Sequence, residues 1–239
     1  MLTAAMEDYL KTIYLLQQRH GSVSTSLLAD EMGFSAASVT GMMKKLSNLG
    51  MVEYEPYRGV RLTSSGERAA LETLRHHRLL ELFLTEKLGF SWDEVHEKAD
   101  RLEHVISERL EERIFEALGH PTHDPHGDPI PTLAGDIHQL EQHSLVELGA
   151  GGSGVIARVA TQDDEVLRYL SSLGLGLNVA VEVLSVAPFD GPVALRVEGE
   201  REVVVGRSVA EKVMVLHKVG REATTDDRRP RVPPGQDDR

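Results

Sequence analysis

The chain has 239 residues, enough for more than one hydrophobic core, and its formal net charge is −12. It contains no cysteine, which excludes a disulfide framework, a thiolate metal site and a cysteine nucleophile. Residues 1–3 lead directly into an amphipathic segment, so we expect neither a signal peptide nor a membrane span. We therefore expect a cytoplasmic protein. The net charge taken alone argues against a nucleic-acid partner, but acids and bases match one for one up to Thr63. The N-terminal part therefore remains a candidate for DNA binding.

The first 63 residues predict a helix-turn-helix followed by a hairpin. Apolar residues recur at helical spacing over 3–19, and further helices are predicted from about Thr25 to Met32 and, after a Ser35 cap, over 36–49. The three-residue turn 33–35 between the last two is typical of a helix-turn-helix. Short β segments on either side of residues 56–59 predict a hairpin and therefore a wing.

The third helix has the composition of a DNA-recognition helix. It opens with small hydroxyl and methyl side chains, which allow close approach to base edges and thymine methyl groups. Two lysines follow one to two turns later, where their ammonium groups could contact DNA phosphates. Two arginines lie at the wing tip and just after it. The alternative is a surface helix pair in a structural bundle. The candidate DNA-binding residues are Ser35, Ala36, Ala37, Ser38, Thr40, Lys44, Lys45, Arg58 and Arg61.

The middle of the chain is predicted to be helical. Ser64 and Glu67 form a capping box that begins a helix to about Leu88, and Ser91 with Glu94 begins another that reaches about residue 118. The second helix carries one narrow apolar stripe, which we expect in the core. That stripe consists of Val95, Ala99, Leu102, Ile106 and Leu110.

Polar residues beside the apolar stripe predict a metal site. Two imidazoles and two carboxylates share one arc of this helix, and packed carboxylates repel one another unless a cation lies between them. On the preceding helix, His77 and Glu81 form a second pair that antiparallel packing would bring close. Oxygen and nitrogen ligands without sulfur suit Mn²⁺, Fe²⁺, Co²⁺ or Zn²⁺. The alternative is a solvated helix face with incidental histidines. The residues of the arc are His96, Asp100, Glu103 and His104.

The loop over residues 120–131 also looks metal-like, but we expect a structural role for it. It is broken by prolines and has no evident second element to supply ligands. Its histidines and acids are His120, His123, Asp124, His126 and Asp128.

The C-terminal part changes character after the glycine-rich segment 149–154. Short alternating strands and one helix over 163–173 predict a small β-barrel-like domain. The strands are expected at 155–159, 179–186, 193–197, 203–205 and 213–216. Residues 221–239 contain almost no apolar side chain and are expected to be disordered.

Taken together, these residues resemble the diphtheria toxin repressor family of iron- and manganese-responsive regulators. The likeness extends to about Lys218 and is most specific at 6–14, 77–81, 95–104 and 127–131, the last being a family loop motif. The resemblance implies a mainly α protein with a small β domain. Its parts would be a winged helix-turn-helix DNA-binding domain (1–63), a helical dimerisation and metal-binding domain (64–140), an SH3-like β-barrel (141–218) and a disordered tail (219–239).

The resemblance also implies two ligand sets. Carboxylates at positions 8 and 100, where iron-responsive members have Met and Cys, favour Mn²⁺ over softer cations. Lys11 stands where manganese-type members with closely spaced metals have a carboxylate, so we expect two separated metals per subunit, with Fe²⁺ as the alternative ion. At position 41 this chain has glycine, whereas some members have a side chain there that can contact a DNA base. The sequence of the operator therefore stays undetermined. The implied primary site is Asp8, Asp100, Glu103 and His104, and the ancillary site is His77, Glu81 and His96 with a barrel residue such as Asp163.

The function implied by the resemblance is transcription regulation, not enzymatic catalysis. A metal-loaded homodimer is expected to bind a palindromic double-stranded DNA operator and to repress metal-uptake genes, without a membrane or a small-molecule substrate. Because Asp8 belongs to the first helix of the DNA-binding domain and the other primary ligands belong to the dimerisation helices, metal and DNA are expected to strengthen each other's binding. Two alternatives remain: an intracellular divalent-metal buffer, and a metallohydrolase, since such clusters also build catalytic sites.

Overall fold

The N-terminal domain consists of three helices and a β-hairpin. The computed structural model describes residues 2–56, 58–138 and 140–217, so the predicted disordered tail lies outside the described residues. Ser24 and Ser35 begin the second and third helices by accepting hydrogen bonds from backbone N–H groups three residues later, and Gly33 ends the second helix with a φ of 67°. The predicted winged helix-turn-helix is confirmed. Its elements are α1 (Ala4–His20), α2 (Thr25–Met32), α3 (Ala36–Asn48), β1 (Val52–Glu55) and β2 (Gly59–Leu62).

The middle domain is organised around one long helix, α4 (Ser64–Leu88), which packs against α1. The Thr63 side chain accepts a hydrogen bond from the Gly66 N–H, so the predicted cap at Ser64 is wrong by one residue. In the described part of the chain, no helix combines the length and apolar character that a membrane crossing requires.

The predicted helix from Ser91 to about residue 118 is wrong, because the structure has two helices there. These are α5 (His96–Leu102) and α6 (Glu108–Ala117), and the second begins where the Ser107 side chain accepts from the Leu110 N–H. Ser91 and Glu94 do bond to each other, but the turn that they form precedes α5.

The break after α5 also interrupts the predicted apolar stripe. Val95 and Ala99 are fully buried, and Ile106 is partly buried against the same core. Leu102 and Leu110 are 40% and 48% exposed, so the prediction that they lie in the core of the chain is wrong. A helical periodicity holds only as long as one helix continues.

The C-terminal domain is an SH3-like unit with an antiparallel sheet of six strands among the described residues. The strands follow each other in the order β3-β8-β4-β5-β6-β7, and register shifts bend β4 and β5. The predicted small β domain is confirmed, although β3 and two of the three short helices were not predicted. Its elements are β3 (His143–Ser144), α7 (Leu145–Leu148), β4 (Ser153–Val159), α8 (Asp164–Ser172), β5 (Ala180–Val186), β6 (Val193–Val197), β7 (Arg201–Val205), α9 (Arg207–Ala210) and β8 (Val213–His217).

This β domain contacts the middle domain through the turn before α5 and the loop over 120–131. The Trp92 indole N–H donates to Ser171 Oγ of α8 at 2.7 Å, and Arg168 of α8 donates to Asp93 at 3.3 Å. The Trp92 ring stacks on His126 with 5.9 Å between centroids. In the loop itself, Asp128 accepts from Arg158 of β4 at 3.2 Å and the Pro129 carbonyl accepts from Arg78 of α4, so the loop is packed between the β domain and the helices.

Candidate metal centre and DNA-binding surface

The first candidate metal site lies where α1 meets the residues after α5. His104 Nε2 lies 2.9 Å from Asp8 Oδ1 and 3.5 Å from Glu103 Oε1, and one ligand atom from each residue lies within 4.8 Å of the others. Glu7 was not predicted, yet its carboxylate lies 2.7 Å from His104 Nδ1. Burial raises the pKa of Asp8, and the nearby His104 and Lys11 only partly offset this effect. The Asp8 side chain is still 43% exposed, so it is a partly desolvated carboxylate beside an imidazole, a pair that fits a divalent cation.

A second group joins α4 to α5. His77 Nδ1 lies 3.2 Å from Asp100 Oδ1, and His96 Nε2 lies 3.7 Å from Asp100 Oδ2. The two rings also place nitrogen atoms 3.1 Å apart. Burial lowers the pKa of His77, but Glu81 and the other carboxylates around it outweigh burial and raise it well above the ordinary value. The surroundings of the imidazole thus favour its protonated form, and a metal that binds to it would have to displace that proton.

A third group contains two loop residues for which a structural role was expected. His126 Nδ1 lies 3.6 Å from Glu81 Oε2 and 4.0 Å from Asp124 Oδ1, and all three residues are at most 3% exposed. One atom of each, namely Glu81 Oε2, Asp124 Oδ2 and His126 Nδ1, is buried without a hydrogen-bond partner among the described residues. Each such atom costs about 1–3 kcal/mol, so this donor set also fits a cation. Burial raises the pKa of Asp124 to about 7, which shows how poorly its charge is compensated.

Glu81 is shared by the second and third groups. Its Oε1 lies 2.9 Å from His77 Nε2 and 3.1 Å from His96 Nδ1, whereas Oε2 faces His126. The sequence signal for the third group was the Asp-Pro-His spacing in the loop, which places the backbone N–H of His126 on Asp124 Oδ1 at 2.8 Å. From the sequence, no second element was evident that could supply ligands to this loop. In the structure α4 is that element, because it contributes Glu81.

The implied primary site is divided in the structure. Asp100 is grouped with His77 and His96, not with Asp8, and the Lys11 ammonium lies between Asp100 Oδ1 at 2.9 Å and Glu103 Oε1 at 2.7 Å. Asp163 caps α8, accepting from the Glu165 and Val166 N–H groups, and lies outside the three groups of described residues. Seven of the eight predicted ligands therefore lie in these three groups, and Asp163 does not.

Eight of the nine predicted DNA-binding residues are exposed on α3, at its cap and in the wing, and Thr40 is partly buried. Ser35 caps α3 and contacts Ser38 Oγ at 3.0 Å, while the Thr40 hydroxyl donates to the Ala36 carbonyl at 2.8 Å. Ala36, Ala37, Lys44 and Lys45 are exposed, as is Arg61 in β2. Arg58 at the wing tip has a side chain that is 82% exposed and contacts Glu55 at 3.2 Å. Val39, Met43 and Leu46 hold the opposite face of α3 in the core.

A winged helix that shares a cluster of carboxylates and imidazoles with a helical domain defines a metal-dependent DNA-binding regulator. Comparison with known domains agrees. The iron dependent repressor N-terminal DNA binding domain matches residues 1–60, the iron dependent repressor metal binding and dimerisation domain matches 63–132, and the FeoA domain matches 143–217. These domains indicate DNA and a second copy of the chain as partners.

Similar proteins are regulators of the same kind. The iron-dependent repressor IdeR of Mycobacterium leprae is 32% identical over 226 residues, covering 90% of this chain and 97% of that protein. The diphtheria toxin repressor of Corynebacterium glutamicum is 33% identical over 196 residues, 77% of this chain and 85% of that protein. A solved manganese-dependent transcriptional repressor in complex with manganese is 38% identical with a TM-score of 0.83, covering 89% of this chain and 100% of that one.

This chain belongs to the iron-dependent repressor family and is a metal-dependent transcription regulator. The metal-buffer and metallohydrolase alternatives receive no support from these relatives.

Proposed function

We propose that this regulator is a cytoplasmic repressor of metal-uptake genes that binds a palindromic operator as a homodimer when loaded with Mn²⁺, with Fe²⁺ as the alternative activator. The candidate ligand groups are rich in carboxylate oxygen and the chain has no cysteine, which supports the preference for Mn²⁺. The 38% identity to a manganese-dependent repressor points the same way. We assign DNA binding to residues 1–63, dimerisation and metal binding to 64–140, and the SH3-like domain to 141–218.

The observation that carries this proposal is the contact between Asp8 and His104, because it crosses from one domain to the other. Asp8 is carried by α1, which packs in the DNA-binding core, whereas Glu103 and His104 follow α5. A bound divalent cation would add positive charge beside Asp8 and Glu103, whose negative charges the single charge of Lys11 only partly offsets. Asp8 and Glu103 then hold α1 in one orientation against α5, which sets the separation of the two recognition helices in a dimer. Metal and DNA must therefore increase each other's affinity by the same factor.

We propose two separated cations per subunit. The first would be held by Asp8, Glu103 and His104. The second would be held by Glu81, either with His77, His96 and Asp100 or with Asp124 and His126, because the two oxygens of Glu81 face these two groups. Asp163 stays a candidate ligand that would have to leave its capping position on α8.

Alanine variants of one histidine from each group distinguish between these two possible positions of the second cation. If the second cation lies between α4 and α5, His96→Ala removes one Mn²⁺ per subunit and His126→Ala does not. The opposite result assigns it to the loop group. A single Mn²⁺ per subunit in wild type would contradict the two-site proposal. The number of bound ions is measured by equilibrium dialysis and elemental analysis of the whole chain.

The function itself is tested by selecting genomic DNA fragments with purified protein in EDTA, Mn²⁺ or anaerobic Fe²⁺. We expect enrichment of a palindrome only with metal, and the ion that works at the lower concentration is the activator. Asp8→Asn should keep the fold and lose the metal response, whereas Asp164→Asn, an exposed residue of α8, should behave as wild type. Operator binding by Asp8→Asn at wild-type affinity without metal would refute the switch, and no enrichment under any condition would refute DNA regulation.

A further inference from the structure

Lys11 places a fixed positive charge inside the carboxylate cluster between α1 and α5. Its Nζ donates to Asp100 Oδ1 at 2.9 Å and to Glu103 Oε1 at 2.7 Å, although the first lies on α5 and the second directly after it. The Lys11 side chain is 12% exposed and that of Glu103 is fully buried. Lys11 follows Asp8 by three residues and therefore lies on the same face of α1.

The position of this ammonium group separates two candidate metal sites. Glu103 Oε1, which Lys11 contacts, is also the oxygen that faces His104 in the first group. Asp100 Oδ1, its other partner, faces His77 in the second group. Lys11 thus uses one oxygen from each group, and a divalent cation at either place would lie close to a like charge. A like charge within about 4–6 Å disfavours a cation at either place, just as it favours the ionised form of the neighbouring carboxylates.

We propose that Lys11 is an internal counter-cation that competes with metal for Asp100 and Glu103. In the metal-free protein it holds α1 against α5, so the two domains stay in contact before any metal binds. It also raises the metal concentration at which the regulator responds and keeps two cations from sharing this pair of carboxylates. This inference rests on the proposed function in one respect, namely that the α1–α5 junction binds a divalent cation.

The test measures Mn²⁺ binding by calorimetry on the whole chain in the absence of DNA. Lys11→Met keeps the length of the side chain and removes its charge, and Lys87→Met, at the exposed end of α4, is the matched control. We expect Lys11→Met to bind Mn²⁺ at the junction about tenfold more tightly or better, equivalent to about 1.4 kcal/mol. Lys87→Met should stay within about twofold of wild type, as a distant surface charge is screened.

A second readout concerns the metal-free protein alone. Hydrogen exchange of the backbone amides of α1 and α5 should be faster in metal-free Lys11→Met than in wild type, and Mn²⁺ should restore protection. Lys11→Arg keeps the charge and should resemble wild type in both measurements, which a purely structural role of the lysine stem would not require. If Lys11→Met does not fold, Lys11→Gln serves the same purpose, because it retains a polar group without the charge.

Unchanged or weaker Mn²⁺ binding in a folded Lys11→Met would overturn the inference, and so would unchanged hydrogen exchange at the junction. Failure of the proposed function is distinguishable. A wild-type protein that binds no Mn²⁺ at all overturns both, whereas normal Mn²⁺ binding with no effect of the charge at Lys11 overturns only the role of the lysine.

Discussion

Replacing Glu111 by glutamine should destabilise the middle domain strongly, although Glu111 belongs to none of the three candidate metal groups. Its Oε1 accepts a hydrogen bond from Arg75 Nε, and its Oε2 lies 3.1 Å from His76 Nε2, so it ties α6 to α4. All three residues are at most 8% exposed. The buried Arg75 guanidinium also contacts the Pro131 carbonyl at 2.7 Å and the Phe115 ring at 4.6 Å, but neither of these groups carries a charge. The substitution therefore removes the anionic partner from a buried ion pair.

Breaking a buried ion pair in this way costs about 3–5 kcal/mol. For a chain of this size each kcal/mol lowers the melting temperature by about 2–4 °C, so a decrease of about 6–20 °C is expected. The assay is thermal and urea unfolding of the metal-free protein, followed by circular dichroism of the helices. Glu112→Gln changes the same group at the next, exposed position of α6 and is the control. A difference between the two variants of less than about 1 kcal/mol would refute the reasoning, since that is the range of surface ion pairs.

The stability difference between wild type and Glu111→Gln should depend on pH, because the pKa values of Glu111 and His76 are both shifted in the folded wild type. Burial raises the pKa of Glu111, but the bonds from His76 and Arg75 outweigh burial and lower it below its ordinary value. Its contribution is therefore present above the unfolded carboxyl pKa of about 4.3 and is lost as pH falls through the folded value. Burial lowers the pKa of His76, but Glu111 outweighs burial and raises it, so this contribution is present below about 6.5 and is lost as pH rises through the folded value.

The stability difference between wild type and Glu111→Gln should hence be largest between about pH 4.3 and 6.5. It should shrink below that window and shrink in part above it, where the bond to Arg75 remains. An equal difference at pH 3 would contradict the assignment. His76 Nδ1 also lies 3.2 Å from the Glu103 carbonyl oxygen, so the same network positions a proposed metal ligand.

Two further outcomes test other parts of the molecule. Replacing Lys44 and Lys45 by alanine should reduce the slope of log affinity against log salt by about 0.9 for each phosphate that is no longer neutralised, measured by fluorescence anisotropy with the selected operator. An unchanged slope would show that neither lysine contacts DNA. Trp92→Phe removes the 2.7 Å hydrogen bond to Ser171 and should weaken attachment of the β domain by about 0.5–1.5 kcal/mol, seen as faster amide exchange in α8. Exchange at the wild-type rate would mean that this bond does not hold the two domains together.

The sequence predicted the helix-turn-helix well because its signals are local. Ser24, Ser35 and Gly33 act within their own turns, so the cap and the left-handed residue mark the helix ends whatever packs around them. After α5 the same kind of signal gave a wrong prediction. The apolar periodicity continues across residues 103–107, but α5 ends before them and α6 begins after them. Spacing alone does not distinguish one helix from two helices in similar phase.

The sequence by itself predicted the order of the domains, an exposed helix α3 and seven of the nine residues that the structure gathers into the three candidate metal groups. Only the tertiary structure decided which of those residues meet. Asp100 is grouped with His77 and not with Asp8, and the Lys11 ammonium lies between Asp100 and Glu103. His126 is grouped with Glu81 because the loop packs against α4 and the β domain. Ligands that converge from distant parts of a chain depend on how its elements pack, and that packing is a sum over many side chains, not a property of any short segment.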